Sequence, residues 1–223
     1  MNNQATESKE WRTDGLLQVH SIFETIQGEG PSAGTPATFI RLAGCNLQCS
    51  FCDTEYTSRD LLSIQDIVDR VKHLPSLVVI TGGEPFRQNV KPLTDALFRY
   101  GKRIEIETNG TIFPENNIPM GSHFICSPKT PKIDDRFWWY AKSLKYVLRA
   151  GYVADDGLPL SSVGEQYGQP ARPTKDWFGQ IFIQPLDEGN LEANQRNIQA
   201  SVESCLKFGY RLSVQIHKIA GVP

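Results

Sequence analysis

The chain has 223 residues, of which 39% are hydrophobic, and its formal net charge is −2 at pH 7. This length and composition allow one substantial hydrophobic core and give no sign of a second. A near-neutral charge does not favour nucleic acid, because proteins that neutralise phosphates carry a basic excess or a basic stripe. We therefore expect a single domain that acts on a small molecule and has no nucleic-acid partner.

The first residues and the cysteines indicate the compartment. Residues 1–16 are polar and mixed in charge, without the apolar run of a signal peptide, and no later run is long enough to span a bilayer. We expect a flexible tail over 1–16, a cytoplasmic protein and no membrane partner. In a reducing compartment the five cysteines favour metal binding or free thiols over disulfides.

Strands and helices alternate along the rest of the chain. The periodicity and turn residues predict strands over 17–23 and 37–43, a helix over 63–74, a strand over 77–81, a helix over 90–100, strands over 103–108, 123–127, 145–150 and 180–185, a helix over 191–208, and a last strand over 211–216. This alternation is typical of a parallel α/β sheet, with too few units for a full eightfold barrel. We predict an incomplete TIM-type barrel over 17–223, with a surface insertion at about 151–177.

Polar residues and glycines follow several of these strands. Because the carboxyl ends of parallel strands meet at one edge, we expect these residues to line one rim, where ligands bind. They are Cys45, Gly82 and Gly83, Asn109 and Gly110, Ser127, and Gln184.

The order Cys45-x-x-x-Cys49-x-x-Cys52 places three cysteines in one short segment. Three thiolates can bind three irons of a [4Fe–4S] cluster and leave the fourth iron open. The alternative is a structural zinc site completed by a histidine such as His123, which would make the protein a non-catalytic interaction module. Zinc sites usually pair ligands on two arms, and the chain has no second Cys-x-x-Cys. We predict that Cys126 and Cys205 are packed core thiols.

Together with Thr81-Gly82-Gly83-Glu84-Pro85, the cysteine motif resembles the radical S-adenosylmethionine (SAM) superfamily. In that superfamily the open iron binds SAM, and an electron from the cluster cleaves it to a 5′-deoxyadenosyl radical. Four further segments resemble the 7-carboxy-7-deazaguanine synthases within it. They are Phe23-Glu24-Thr25-Ile26-Gln27-Gly28-Glu29-Gly30, Phe39-Ile40-Arg41-Leu42-Ala43-Gly44-Cys45, Cys52-Asp53-Thr54 and Gln215-Ile216-His217-Lys218. The resemblance covers about 18–223 and is weakest over 151–177.

This resemblance implies a ring contraction of 6-carboxy-5,6,7,8-tetrahydropterin to 7-carboxy-7-deazaguanine with loss of ammonia, on a route to 7-deazapurines such as queuosine. It also implies a [4Fe–4S] cluster, recycled SAM, Mg²⁺, a flavodoxin- or ferredoxin-type reductant and a homodimer. A radical SAM activase, which makes a glycyl radical on a partner protein, is the alternative enzyme. It would need a macromolecular substrate.

The resemblance assigns residues to each ligand. The cluster ligands would be Cys45, Cys49 and Cys52, and SAM would contact Phe51, Cys52, Asp53, Gly83, Ser127, Pro128, Lys129, Gln184, Pro185, Leu186 and Asp187. The substrate would contact Ile26, Gln27, Gly28, Arg41, Thr81, His217 and Pro223, with Mg²⁺ near Thr54 and with Glu84, Glu107 and Asn109 as supporting polar groups. A guanidinium binds a carboxylate in bidentate fashion, which suits Arg41. We expect the carboxylate of Pro223 to accept hydrogen bonds from the pterin, because a last parallel strand would carry the tail to the rim.

Overall fold

The computed structural model describes residues 3–162 and 167–223. The strands of these residues are β1 Leu16–Ile26, β2 Pro36–Leu42, β3 Asp60–Ser63, β4 Leu77–Gly82, β5 Arg103–Thr108, β6 His123–Cys126, β7 Ala141–Leu148, β8 Gln180–Pro185 and β9 Arg211–Leu212. The helices are α1 Ile64–Val71, α2 Lys91–Arg99, α3 Phe137–Tyr140, α4 Leu191–Phe208 and α5 Ile216–Ala220, with short 3-10 helices at Gly30–Ser32 and Pro85–Arg87.

All of these strands belong to one nine-stranded sheet in the order β3-β1-β2-β4-β5-β6-β7-β8-β9. From β2 to β9 each neighbouring pair is parallel, whereas β1 runs antiparallel to both β2 and β3. The sheet does not close, since β3 and β9 lie at its two edges. The predicted partial TIM-type barrel of parallel strands is confirmed, with an antiparallel extension that the alternation pattern did not reveal.

The core lies along the parallel strands. Ile80, Ile106, Phe124, Leu144 and Ile183 come from five adjacent strands, and each is at most 2% exposed. They belong to one continuous hydrophobic cluster, to which α1 and α2 add their apolar faces. Strand β4 is buried on both faces, with Leu77, Val78, Val79 and Ile80 each at most 1% exposed, which explains its continuous apolar run. Among the described residues, no helix is long and apolar enough to cross a membrane.

Several predicted elements have the expected bounds because their local signals are strong. Strands β5 and β8 and helix α4 match the predictions. Ser63 caps α1 through a capping box with Asp66. Helix α2 is followed by Gly101, whose φ of +71° favours glycine.

Other elements differ from the predictions. The short edge strand β3 and the one-turn helix α3 were not predicted, and β7 begins at Ala141 instead of residue 145. The last strand ends at Leu212, and α5 follows in place of a strand to residue 216. The backbone N–H of Ser213 still donates to the carbonyl of Ile183 in β8 at 2.8 Å. Beyond it the chain leaves the sheet, and the backbone N–H of Ile216 donates to the carbonyls of Val214 at 3.0 Å and Gly28 at 3.2 Å instead of to a neighbouring strand.

The segment 151–177 has no helix or strand in its described part, as predicted. The segment lies only partly on the surface of the protein, because Leu158 and Ala171 are buried in the main hydrophobic core. The carbonyl of Ala171 also accepts a hydrogen bond from the hydroxyl of Tyr146 at 2.6 Å. Residues 163–166 of the predicted insertion lie outside the described residues.

The N-terminal segment is not a free tail. Residues 4–10 run across the loop between β2 and β3, where the backbone N–H of Glu7 donates to the carbonyl of Cys45 at 2.7 Å. The segment is polar and uses hydrogen bonds instead of apolar contacts, so its hydropathy did not reveal this packing. Residues 1–2 of the predicted tail lie outside the described residues.

Candidate active site

A cavity of about 260 Å³ lies at the carboxyl ends of the parallel strands. Its wall includes residues from five of the predicted strand ends: Cys45, Gly83, Asn109, Ser127 and Gln184. The parallel arrangement therefore brings together residues that are far apart in the sequence, as the rim prediction required. A concave site of this kind at strand ends is where α/β proteins bind their ligands.

Most of the predicted site residues line this one cavity. They are Ile26, Gln27, Arg41, Cys45, Cys49, Phe51, Cys52, Asp53, Thr54, Thr81, Gly83, Ser127, Lys129, Gln184, Leu186, Asp187, His217 and Pro223. Gly28, Pro128 and Pro185 are not part of its wall, although each adjoins a residue that is. Gly28 packs against the imidazole, because a Cβ at this position would lie 1.6 Å from Nδ1 of His217. Its role is to leave room for the histidine ring.

The cysteine loop begins directly after β2. The backbone N–H of Gly44 donates to the carbonyl of Tyr56 at 2.7 Å and closes the base of the loop, and that of Cys52 donates to the carbonyl of Cys49 at 3.1 Å. Burial raises the pKa of Cys45 to about 12 and also raises the pKa values of Cys49 and Cys52. Metal binding to this loop must therefore release protons.

Gly82, the last residue of β4, and the following Gly83 allow this strand to approach the start of the cysteine loop closely. A Cβ on Gly82 would lie 2.0 Å from the carbonyl oxygen of Leu42, and one on Gly83 would lie 2.0 Å from that of Gly44. In addition, the backbone N–H of Glu84 donates to the carbonyl of Gly44 at 3.0 Å. The glycine motif thus has a packing role that the sequence argument, which considered only the approach to SAM, did not include.

Glu84 ties the end of β4 to the end of β5. Its buried carboxyl group accepts hydrogen bonds from the backbone N–H of Asn109 and the hydroxyl of Thr108, both at 2.7 Å, and from the backbone N–H of Phe86 at 3.0 Å. Burial raises its pKa to about 7, against the opposing effect of these hydrogen bonds. Glu84 therefore stabilises the end of β5 at the rim through hydrogen bonds, and its carboxyl group is not exposed to solvent.

The donor chemistry of the cysteine loop fits an iron–sulfur cluster. Among the described residues no three His, Cys, Asp or Glu side chains are grouped closely enough to bind a single metal ion. The zinc site with His123 is not formed, since Nε2 of His123 pairs with the hydroxyl of Ser143 at 3.1 Å. A cubane cluster binds each cysteine through a different iron, so it accepts thiolates that are further apart. Three thiols facing one cavity match that requirement.

A charged network forms the floor of the cavity. Lys145 of β7 contacts the carboxylate of Glu29 and lies 3.8 Å from Glu107. Nε2 of Gln215 donates to Glu29 at 2.7 Å, and Nε2 of Gln27 donates to Glu107 at 3.4 Å. Burial opposes ionisation of Glu29 and Lys145, but the opposite charges nearby outweigh it. Lys145 lowers the pKa of Glu29, and the carboxylates of Glu107 and Glu29 together raise the pKa of Lys145.

Sequence reasoning assigned no role to Glu29, Lys145 or Gln215. The sequence did contain one signal for this network: Lys145 is the single charged residue in the otherwise apolar second half of β7. A lysine at a buried strand position requires an acidic partner. The partner was not identifiable from the sequence, because Glu29 is more than one hundred residues away and reaches Lys145 only through the fold.

Above this floor, Arg41 and Gln184 have polar atoms without partners. The guanidinium of Arg41 lies 5.4 Å from the ring centre of Phe23. Its buried Nε has no hydrogen-bond partner among the described residues, and neither does the buried Oε1 of Gln184. Both residues line the cavity. Since buried polar atoms are normally satisfied, these two are available to a ligand.

At the mouth of the cavity, Thr54 and Asp53 provide oxygen donors. The hydroxyl of Thr54 is 3.5 Å from Oδ1 of Asp53. Lys218 of α5 spans the opening, with its Nζ 3.5 Å from Asp53 and 2.7 Å from Asp187. On the same side, the hydroxyl of Thr25 donates to the backbone oxygen of Pro223. The end of the chain thus lies beside β1 at the cavity.

The comparisons with known proteins agree with this site. The Radical SAM superfamily model matches residues 39–118, a range that includes the three cysteines and the glycine motif. A 7-carboxy-7-deazaguanine synthase of Rhodospirillum rubrum is 40% identical over 217 residues, which cover 91% of each chain. One of Bacteroides thetaiotaomicron is 43% identical over 209 residues, covering 93% of this chain and 99% of the relative.

The crystal structure of QueE from Escherichia coli superposes with a TM-score of 0.69 at 25% sequence identity, covering 90% of this chain and 94% of the other. The open parallel sheet, the cysteine loop and the glycine motif together define a radical SAM enzyme. Such enzymes hold a [4Fe–4S] cluster and SAM. Within this class, the chain belongs to the 7-carboxy-7-deazaguanine synthase family.

Proposed function

We propose that this enzyme converts 6-carboxy-5,6,7,8-tetrahydropterin to 7-carboxy-7-deazaguanine with release of ammonia, in 7-deazapurine biosynthesis. The observation that carries the proposal is that one cavity contains both the cysteine loop and Arg41, whose buried Nε has no partner. The curated relatives carry the name of this activity. A carboxylated substrate would supply the missing partner of Arg41.

In this proposal Cys45, Cys49 and Cys52 hold the cluster, and the SAM side of the cavity is lined by Phe51, Asp53, Gly83, Ser127, Lys129, Gln184, Leu186 and Asp187. Pro128 and Pro185 adjoin these residues in the sequence and would contact SAM from beside the wall. When bound, the cluster and SAM supply the radical that removes hydrogen from substrate C6 and later returns it. The protein contributes orientation and the exclusion of water.

The substrate side of the cavity has a polar wall. Thr81 donates its hydroxyl hydrogen to Glu107 at 3.1 Å, and Gln27 donates to the same carboxylate, which fixes Glu107 at the floor. We propose that the backbone at Ile26, Gln27 and Gly28 borders the pterin. His217 and Pro223 would close the pocket from the C-terminal side, with Arg41 bound to the substrate carboxylate.

The direct test is turnover. Anaerobically reconstituted and reduced enzyme is incubated with 6-carboxytetrahydropterin and SAM, and the product is identified by mass. We expect 7-carboxy-7-deazaguanine and no consumption of SAM beyond catalytic amounts. The Cys49→Ala variant should be inactive and lack the cluster, while Cys205→Ala on α4 should match the wild type. SAM cleavage without conversion of the pterin would contradict the proposed substrate.

We further propose that Thr54 contributes to a Mg²⁺ site shared with the substrate. One hydroxyl is a poor magnesium ligand, so the neighbouring Asp53 carboxylate, substrate oxygens and water must complete the octahedron. We expect Thr54→Ala to raise the Mg²⁺ concentration needed for half-maximal turnover by roughly tenfold, as for loss of a directly bonded group. The measurement is turnover against Mg²⁺ concentration, with Thr57→Ala as the control. An unchanged magnesium dependence would remove Thr54 from the site.

The remaining partners are carried over from the family. We propose a flavodoxin- or ferredoxin-type reductant in the cytoplasm and a homodimer. Size-exclusion chromatography with light scattering tests the dimer. Reduction of the cluster by each purified reductant, followed by electron paramagnetic resonance, tests the donor.

A further inference from the structure

The loop that carries the cysteines has no regular structure of its own. Residues 43–59 form neither a helix nor a strand, so no ladder of backbone hydrogen bonds fixes the positions of the three thiols. Fixed ligand positions favour binding, because ordering a loop at the moment of binding costs conformational entropy. The contacts that hold this loop from outside therefore bear on how well it binds a cluster.

Much of this support comes from the N-terminal strap, which we define as residues 4–10. At the start of the loop, the backbone N–H of Glu7 donates to the carbonyl of Cys45, a cluster ligand, at 2.7 Å. At the far end, Gln4 uses both ends of its side-chain amide. Its Nε2 donates to the carbonyl of Thr54 at 2.9 Å, and its Oε1 accepts from the backbone N–H of Tyr56 at 2.7 Å.

The strap also reaches the middle of the loop. Nε2 of Gln48 donates to the backbone carbonyl of Gln4 at 2.8 Å. Gln48 directly precedes Cys49, the second cluster ligand. Gln4 and Glu7 thus contact the loop at its beginning, its centre and its end, and each cysteine lies within two residues of one of these contacts.

The strap is itself anchored to the domain. The carboxylate of Glu7 pairs with Arg59, at the exit of the loop, and lies 2.9 Å from the guanidinium of the buried Arg87. Nε of Arg87 donates to the carbonyls of Glu7 and Ser8, both at 3.0 Å, and its Nη1 donates to the carbonyl of Ala43 at 3.2 Å. Arg87 follows the glycine motif, so one buried guanidinium connects the strap, the loop and the end of β4.

From these contacts we propose that the N-terminal strap is a positioning element for the iron–sulfur cluster. Gln4 and Glu7 preorganise the cysteine loop before the cluster binds and slow the release of iron afterwards. Neither Gln4 nor Glu7 lines the cavity itself, so they act through the backbone of the loop and not on the substrate. The inference rests on the cluster site of the proposed function and does not depend on the identity of the substrate.

The first test uses hydrogen–deuterium exchange on the cluster-free protein. Gln4→Ala removes two hydrogen bonds to the loop backbone and leaves Arg87 paired with Glu7. We expect exchange over 45–56 to increase by roughly tenfold, the effect of losing such bonds, with no change in β4 and β5. The control is Glu10→Gln, in the same strap, because the Glu10 side chain binds Gln18 and Arg12 instead of the loop.

The second test measures the cluster directly. Wild type, Gln4→Ala and Glu10→Gln are reconstituted with iron and sulfide and challenged anaerobically with an iron chelator, and the loss of visible absorption is followed. We expect Gln4→Ala to lose iron roughly tenfold faster than the other two, in parallel with the exchange result. Glu7→Gln, which keeps the backbone contact to Cys45, should show a smaller effect in the same direction.

Two results would overturn the proposal. One is equal exchange and equal iron loss in Gln4→Ala and Glu10→Gln. The other is increased exchange in β4 and β5 as well as in the loop, since this would mean that the strap only stabilises the whole fold. Both readouts are independent of turnover. Suppose that Gln4→Ala loses iron faster, as expected, but the wild-type enzyme converts no pterin. This outcome would contradict the proposed substrate and leave the inference about the strap intact.

Discussion

At the residue scale, the buried carboxyl group of Glu84 links pH to stability. Its pKa is raised to about 7 from the ordinary value of 4.5, so between these two pH values the folded state keeps a proton that the unfolded chain releases. The free energy of unfolding should therefore fall as the pH rises through this window, by up to about 3 kcal/mol.

The corresponding measurement is urea denaturation of the cluster-free protein at several pH values between 4.5 and 7.5. Glu84→Gln keeps the shape of the side chain but cannot titrate, so its free energy of unfolding should fall less over the same window. Comparison of the two proteins cancels the contribution of all other groups. Parallel curves would show that Glu84 is ionised throughout.

A second residue-scale prediction concerns the floor of the cavity. Lys145 is the cation between Glu29 and Glu107, and the three side chains are 10%, 13% and 18% exposed. Lys145→Met leaves two carboxylates in a nearly buried site without their counter-charge. We expect it to lower the free energy of unfolding by about 3–5 kcal/mol.

The matched control is Lys142→Met, an exposed lysine on the same strand, for which we expect a change within about 0.5 kcal/mol. Combining Lys145→Met with Glu29→Gln should recover part of the loss, because the second change removes one unpaired charge. If Lys145→Met is as mild as the control, the network contributes little and Lys145 is better explained by contact with the substrate.

At the element scale, the start of α1 is set by local chemistry. The hydroxyl of Ser63 accepts from the backbone N–H of Asp66 at 3.1 Å, and the carboxylate of Asp66 accepts from the backbone N–H of Ser63 at 3.3 Å. Ser63→Ala should destabilise the protein by about 1 kcal/mol. The measurement is thermal or urea unfolding of Ser63→Ala, Asp66→Ala and the double variant.

Because the two hydrogen bonds form one reciprocal unit, the double variant should lose less than the sum of the single losses. Strict additivity would mean that the side chains act separately. Helix α2 offers a contrast, since no side chain caps its first turn. Its start is marked instead by Pro92 within the first two helical positions, next to the buried Val90 at the N-cap.

At the scale of the whole molecule, the cavity is closed by segments from both halves of the chain. The C-terminal residues lie beside β1, with Pro223 at the cavity and its backbone oxygen accepting a hydrogen bond from the hydroxyl of Thr25. Deletion of residues 222–223 should raise the KM for the pterin by roughly tenfold, as expected for loss of a substrate contact. Cluster content and SAM cleavage without substrate should stay at wild-type levels.

Steady-state kinetics and iron analysis check this prediction. Ile219→Ala, at an exposed position of α5, controls for a general disturbance of the C-terminal segment. If the truncated enzyme keeps the wild-type KM, Pro223 borders the cavity without binding substrate. A truncated enzyme that also loses its cluster would indicate a structural role for the segment instead.

Much of this protein was predictable from its sequence, because the relevant signals are local. The three cysteines lie within eight residues, the two glycines lie at the end of a buried strand, and the bounds of β5, β8 and α4 follow from periodicity and caps. These features fix backbone geometry over a few residues at a time. They were sufficient for the fold class and the family, and they carry the prediction of the cluster ligands.

Only the tertiary structure determined the contacts between distant segments. The pairing of Lys145 with Glu29, the strap across the cysteine loop, and the replacement of a last strand by α5 all depend on groups far apart in the sequence. Polar side chains such as Gln4 and Glu7 have the composition of a solvated tail, and their partners are backbone groups that no sequence pattern marks. Hydrogen bonds depend on distance and direction in space, so these partners are defined only once the sheet has formed.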